Sequence, residues 1–202
     1  MDSRKRILVI SSKRPFPVQD GASIRTSQMI RMLSQIFEVD LVYTCNPYKT
    51  FADLTELRCF CRQISEFLEP KWKCVLRALL GFFKSRPLQC SYFYSPRMMS
   101  YIQEHLSLYD YVFCNNIRTV PYVDGSKCNK IIDYVDAISM NYIGASLKAN
   151  WIWRLVYKFE ANRLISYENK VLKSFDKFII ISDIDRQFIL RHADLEISNK
   201  HI

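Results

Sequence analysis

Apolar residues in this chain follow two rhythms. Short β-branched runs at 6–11, 38–44, 64–68, 111–115, 130–134 and 177–182 are almost wholly apolar rather than alternating. That pattern predicts strands of a parallel sheet covered on both faces. Between them, helical periodicity marks 24–36, 72–84, 96–107, 151–174 and 183–192. In the first of these, Ile24, Met29, Ile30 and Leu33 fall near helical spacing, while Arg25 and Arg31 lie elsewhere on the helix surface. Strand–helix–strand repetition predicts right-handed crossovers and an α/β fold: a Rossmann-like, doubly wound, mainly parallel sheet. No internal repeat, low-complexity tract or Gly/Ser-rich linker interrupts the pattern, so a single domain over 1–202 is expected.

Two helical stretches depart from the amphipathic plan. Residues 72–83 read WKCVLRALLGFF and 151–159 read WIWRLVYKF, bulky apolar residues interleaved with Lys73, Arg77, Arg154 and Lys158. One reading makes them core-facing helices with snorkelling cations. The other makes them an interfacial surface resting on anionic lipid. The pattern leaves both open.

Charge sharpens this picture only partly. The 202 residues carry 29 Lys plus Arg against 20 Asp plus Glu, a formal +9. Such an excess favours anionic partners, whether nucleic acid, membrane or phosphorylated substrates. The basic residues are spread along the chain rather than concentrated on one element, so no nucleic-acid partner is expected. Seven cysteines, with no C-x-x-C pair, indicate neither a disulfide framework nor a zinc site, and reduced thiols in a cytoplasmic compartment are expected. The apolar run after Arg6 is too short for a signal peptide, and no stretch approaches the ~20 apolar residues of a membrane span.

In open parallel sheets, ligands bind beyond the carboxyl ends of the strands, so the loops after them carry the candidate chemistry. The loop after the first strand lacks G-x-G-x-x-G, which counts against a nicotinamide or flavin dehydrogenase. It offers instead Gly21 at a helix start, where backbone can approach a ligand and free N–H groups favour an anion, or simply an N-terminal turn. Asp133 and Asp136 end a strand, where a carboxylate can hydrogen-bond a ligand or take a proton, although Asp136 also suits a helix cap. Glu160, Arg163, Tyr167 and Glu168 share one helical face, as a site or as a buried network that fixes the helix. Ser182 ends the last strand, at a ligand-facing strand end or as a cap for the helix at Asp183. No histidine falls in these loops, and nothing resembles a metal site or a serine triad.

The order of these motifs resembles the amino-terminal domain of glycosyltransferase family 4 enzymes. The matching pieces are Arg14-Pro15-Phe16-Pro17, then Asp20-Gly21-Ala22-Ser23-Ile24-Arg25-Thr26 and the E-V-D-L-V strand at 38–42. They continue with D-x-x-D-x-x-S from Asp133 to Ser139, E-x-x-R-L-x-x-Y-E from Glu160 to Glu168, and F-D-x-x-x-x-x-S from Phe175 to Ser182. The similarity runs over 5–191 and is weak between 47 and 87; Ala22 stands where the family has its second small-loop glycine.

The resemblance implies the GT-B architecture, two Rossmann-like domains facing across a cleft, with this chain as the acceptor-side half. It implies a retaining nucleotide-sugar-dependent transferase for polysaccharide or glycolipid assembly, with Asp136 and Asp133 as catalytic candidates. Substrate binding would fall to Gly21, Ala22, Arg25, Ser139, Glu160, Arg163 and Ser182. No cofactor or metal is implied, the nucleotide-sugar being a substrate. The expected partners are a sugar or lipid-linked glycan acceptor, an anionic membrane surface, and a separate donor-binding domain or a second copy of the chain. The expected location is cytoplasmic, peripheral at the inner face of the membrane. Residues 193–202 read as the start of a truncated interdomain linker, which predicts a chain inactive on its own. The competing expectation is a non-catalytic Rossmann-like binding or scaffold module.

Overall fold

The computed structural model describes residues 4–18, 20–47, 54–83 and 86–193. Six strands form one all-parallel sheet: β1 (Arg6–Ser11), β2 (Glu38–Cys45), β3 (Gln63–Leu68), β4 (Tyr111–Asn115), β5 (Asn129–Asp133) and β6 (Lys177–Ile179). Their spatial order is β3-β2-β1-β4-β5-β6, so the winding direction reverses between β1 and β4. The helices are α1 (Gly21–Ser34), α2 (Thr55–Arg58), α3 (Lys71–Gly81), α4 (Leu88–Tyr92), α5 (Pro96–His105), α6 (Ile138–Lys148), α7 (Trp151–Ser174) and α8 (Asp183–Arg191). This is the Rossmann-like α/β fold that the periodicity predicts. Most of the residues read as an interdomain linker lie outside the described residues.

Successive strand residues feed opposite layers, as a two-residue side-chain period requires. Ile7 and Val9 of β1 point with Leu41, Tyr43 and Phe113 into a layer closed by Ile30 of α1 and Leu57 of α2. Leu8 and Ile10 face the other way, with Val112 and Ile132, under Met98 of α5 and Leu164 and Val171 of α7. Both faces of β1 are therefore dry, which explains its unbroken apolar run.

Several boundaries move for identifiable reasons. The first helix starts at Gly21 rather than 24 because Asp20 and Ser23 form a reciprocal capping box: Ser23 N donates to Asp20 Oδ1 at 2.8 Å and Asp20 N to Ser23 Oγ at 2.9 Å. The last strand ends at Ile179 rather than 182, since its partner β5 ends at Asp133, opposite Ile179. The short α2 and α4, and the longer α6, are absent from the sequence reading. At the end of α3, a Cβ on Gly81 would collide with the Ser91 side chain, so glycine lets α3 close on α4.

Candidate functional site

The carboxyl ends of β1, β4 and β5 and the start of α1 meet at the reversal point, where the fold places ligand crevices. Polar side chains tie them together. Asn115 Nδ2, closing β4, donates to Thr26 Oγ1 at 2.6 Å, and Thr26 Oγ1 in turn donates to Ala22 O at 2.7 Å. Arg25 reaches from α1 to β5, its Nε and Nη2 donating to Asp133 Oδ2 and Oδ1 at 2.6 and 2.8 Å. The fork-to-fork geometry makes this a strong charge-assisted pair.

Asp133 is fully buried and also accepts from Val135 N at 3.1 Å, so its oxygens are already engaged by Arg25 and the backbone. The chain then bends sharply. Asp136 N donates to Tyr134 O at 2.7 Å across Val135, whose φ of 65° is a left-handed value that β-branched residues avoid. This kink turns Asp136 outward, half-buried, where Asn141 Nδ2 donates to Asp136 Oδ2 at 2.6 Å. Burial raises the Asp136 carboxyl above its ordinary value, opposed by Asn141 and by the positive charge of Arg118. Of the two strand-end aspartates, Asp136 is the one whose carboxylate remains reachable.

Arg118 follows β4, and neither pattern nor resemblance singled it out. Its Nε donates to Gln89 Oε1 at 2.8 Å, and its guanidinium lies 4.7 Å from the centroid of the Phe93 ring. Among the described residues no carboxylate lies within ion-pair distance of it, and burial lowers its pKa. A mostly desolvated cation without a salt-bridge partner is costly and suits an anionic or hydroxyl-rich ligand. The signal that would have found it is strand order, because only next to β1 does the loop after β4 border the crevice.

The remaining candidates divide. Gly21 and Ala22 are exposed in the first turn of α1, and no atom lies within 4 Å of where a Gly21 Cβ would stand, so this face is open. The nearby cap Asp20 already places a carboxylate at that helix end, 3.8 Å from Lys13 Nζ. Ser139 lies in the first turn of α6, where its N and Oγ donate to Glu168 at 3.2 and 2.5 Å. Burial pushes the Glu168 carboxyl up to about 7, against the pull of both Ser139 donors. Glu160 is completely buried, accepting from Leu88 N and lying 3.3 Å from Arg163 Nη1, while Arg163 Nη2 donates to Gly81 O at 2.9 Å. That pair bolts α7 to α3 and α4. Ser182 caps α8, accepting from Ile184 N at 3.2 Å, and borders an open depression of about 410 Å³ beside β6 that also involves Asp183 and Arg186. Among the described residues no group of three or more His, Cys, Asp or Glu is placed to hold a metal ion.

An aromatic row links α7 to α6 near Arg118. Trp153 and Tyr157 lie 6.1 Å apart between ring centroids, and Tyr157 meets Tyr142 of α6 edge-on at 5.7 Å. Tyr142 lies close enough to Arg118 and Gln89 to feel both electrostatically. What the chain builds is thus a Rossmann-like α/β domain with an arginine, a reachable carboxylate and an aromatic approach at its reversal point. Neither a protein-family model nor a curated protein matches the chain.

Proposed function

We propose that this chain is the acceptor-side domain of a retaining, nucleotide-sugar-dependent glycosyltransferase of polysaccharide or glycolipid assembly, acting together with a donor-binding domain. The observation that carries the reading is the pairing of Arg118, free of any carboxylate partner among the described residues, with the outward-turned Asp136 beneath the Tyr142–Tyr157 row. Arg118, Gln89 and Asn141 supply donors for sugar hydroxyls or a phosphate, and the aromatic rings supply an apolar wall for a sugar face. In transfer, the acceptor oxygen bonds to the anomeric carbon from the same face that the nucleoside diphosphate vacates as the sugar–phosphate bond breaks, which keeps the anomeric configuration. Asp136, its basicity raised by burial, takes the acceptor's proton. Asp133 acts as a positioning residue, holding Arg25 and the turn that aims Asp136. The resemblance of the Asp133–Ser139 and Glu160–Glu168 segments to family 4 enzymes supports the same assignment.

One feature favours a non-catalytic binding module instead: the α1 N-terminus, where a donor phosphate would approach, already carries the Asp20 cap. Calorimetry with soluble glycans and short-chain polyprenyl-phosphate sugars, followed by transfer assays with a supplied donor domain, separates the readings. Saturable acceptor binding that Arg118→Gln weakens at least about tenfold, with transfer in the mixture, supports the transferase. Binding without transfer supports the module, and no binding of either acceptor class overturns the site.

A further inference from the structure

The chain contains three tryptophans, and all three face water: Trp72 is 63% exposed, Trp151 74% and Trp153 55%. They belong to α3 and the first third of α7, with Leu79, Phe83 and Leu155 also exposed beside them. Phe82 and Phe159 join the two helices, their ring centroids 5.2 Å apart. Water-facing tryptophan and phenylalanine at this density mark an unfilled interface rather than ordinary surface.

Helix length explains how the patch arises. The 24 residues of α7 span about 36 Å, against about 18 Å for the strands it covers. Leu164, Val171 and Leu172 pack over the sheet, and α7 hands the chain to β6 at the sheet's amino end. Its first nine residues therefore overhang the carboxyl end, where α3 also begins just past β3. None of the four aromatic and aliphatic side chains from Trp151, Ile152, Trp153 and Leu155 is needed for the core.

Charge identifies the occupant. Neither α3 nor residues 151–159 contain an acidic residue, while Lys71, Lys73, Lys148, Arg154 and Lys158 are all exposed around the apolar centre. A depression of about 410 Å³ beside α3 adds Arg97 and Arg77 to Lys73, with Arg77 turned to Glu69 at 2.6 Å. A cationic rim around interfacial aromatics complements anionic lipid headgroups over an acyl boundary. No helix among the described residues is long and apolar enough to cross a membrane, so contact would be along the surface.

We infer that α3 and the overhanging start of α7 form a peripheral docking surface for an anionic lipid bilayer, on the same side of the molecule as the crevice. This stands independently of whether the crevice transfers sugar. Because every tryptophan is exposed on α3 or the start of α7, intrinsic fluorescence of the whole chain reads docking without a label. Vesicles containing phosphatidylglycerol should blue-shift the emission and float the protein, whereas phosphatidylcholine vesicles or high salt should weaken binding at least about tenfold. The variants Trp72→Ser with Phe83→Ser, and separately Lys73→Glu with Lys158→Glu, should each lose about tenfold or more while their melting curves stay unchanged, since these side chains are exposed. Equal binding to neutral and anionic vesicles, or undiminished flotation by the charge-reversed variant, overturns the proposal. So does a blue shift that follows protein concentration without vesicles and accompanies a doubled mass in sedimentation, because the patch would then be covered by a second copy.

Discussion

The two ends of the sheet both carry buried carboxylates, yet they use them differently. At the amino end, Asp40 lies inside β2 with its side chain only 3% exposed and gathers cations from neighbouring strands. Arg62 Nε donates to Asp40 Oδ1 at 3.0 Å, Tyr109 Oη donates to Oδ2 at 2.8 Å, and Arg6 lies 3.6 Å away. Each partner lies at or just before the start of a different strand, so this cluster staples the sheet and leaves nothing for a ligand. At the carboxyl end, Asp133 has an equally complete set of partners. Only three residues later, Asp136 is turned out by a strained bend toward an arginine that has no carboxylate partner among the described residues. A buried ion pair is weak evidence of function; a half-buried carboxylate and a cation left without an ion pair beside it are stronger.

Substitutions test that contrast. Asp40→Ala, which strands Arg6, Arg62 and Tyr109, should lower unfolding free energy in urea by about 3–5 kcal/mol and leave acceptor binding by the remaining folded protein intact. A smaller loss would mean that the amino end is no staple.

The next largest effect depends on pH. The Glu168 carboxyl is pushed up to about 7 in the folded protein from 4.5, so between those values the folded chain holds a proton that the unfolded chain has released. Its contribution to stability is therefore greatest below about 4.5 and declines as pH rises through about 7. Glu168→Gln keeps a polar partner for Ser139 without the ionisation, and should be more stable than wild type at about pH 8 by up to roughly 3 kcal/mol. At about pH 4 the two should be indistinguishable, as compared by denaturant titration. Equal pH slopes would show that Glu168 is better solvated than its burial implies.

A double-mutant cycle on Arg25→Gln and Asp133→Asn should give a coupling energy of about 1.5–3 kcal/mol, as bidentate charge-assisted pairs do. Coupling near zero would separate α1 from β5. The smallest stability change belongs to Asp136→Asn, within about 0.5 kcal/mol of wild type because the isostere keeps the contact to Asn141 and removes a charge that burial disfavours. The same variant should abolish transfer in the presence of a donor domain, and full activity would exclude Asp136 as the proton acceptor.

The sheet was legible in the sequence because strands buried on two faces leave an unmistakable apolar run, as at Ile7–Leu8–Val9–Ile10. Helices were legible where one stripe faced the core, as in α5, and missed where they were short, as in α4, or, like the longer α6, only weakly amphipathic. Glu160 and Arg163 could be placed on one face by spacing, but their partners Gly81 and Leu88 are more than seventy positions away, and no local pattern encodes that contact. Arg118 was hidden for the same reason, since its importance follows from β4 lying next to β1. The apolar runs at 72–83 and 151–159 left core and surface readings both open; exposure, and helix length measured against the sheet, separate them.

Val135 carries a consequence for anyone improving this protein. A valine held at φ 65° costs about 1–3 kcal/mol, and a glycine there would recover part of it after its own entropy cost of about 0.5–1 kcal/mol. A thermostability screen would accordingly drift toward Val135→Gly, and a consensus-minded redesign would write glycine without hesitation. Either route loosens the one bend that aims Asp136. If Asp136 takes the role proposed for it, selection at this position has to score transfer as well as melting temperature, or the most stable clone will be the one that has forgotten where its carboxylate should point.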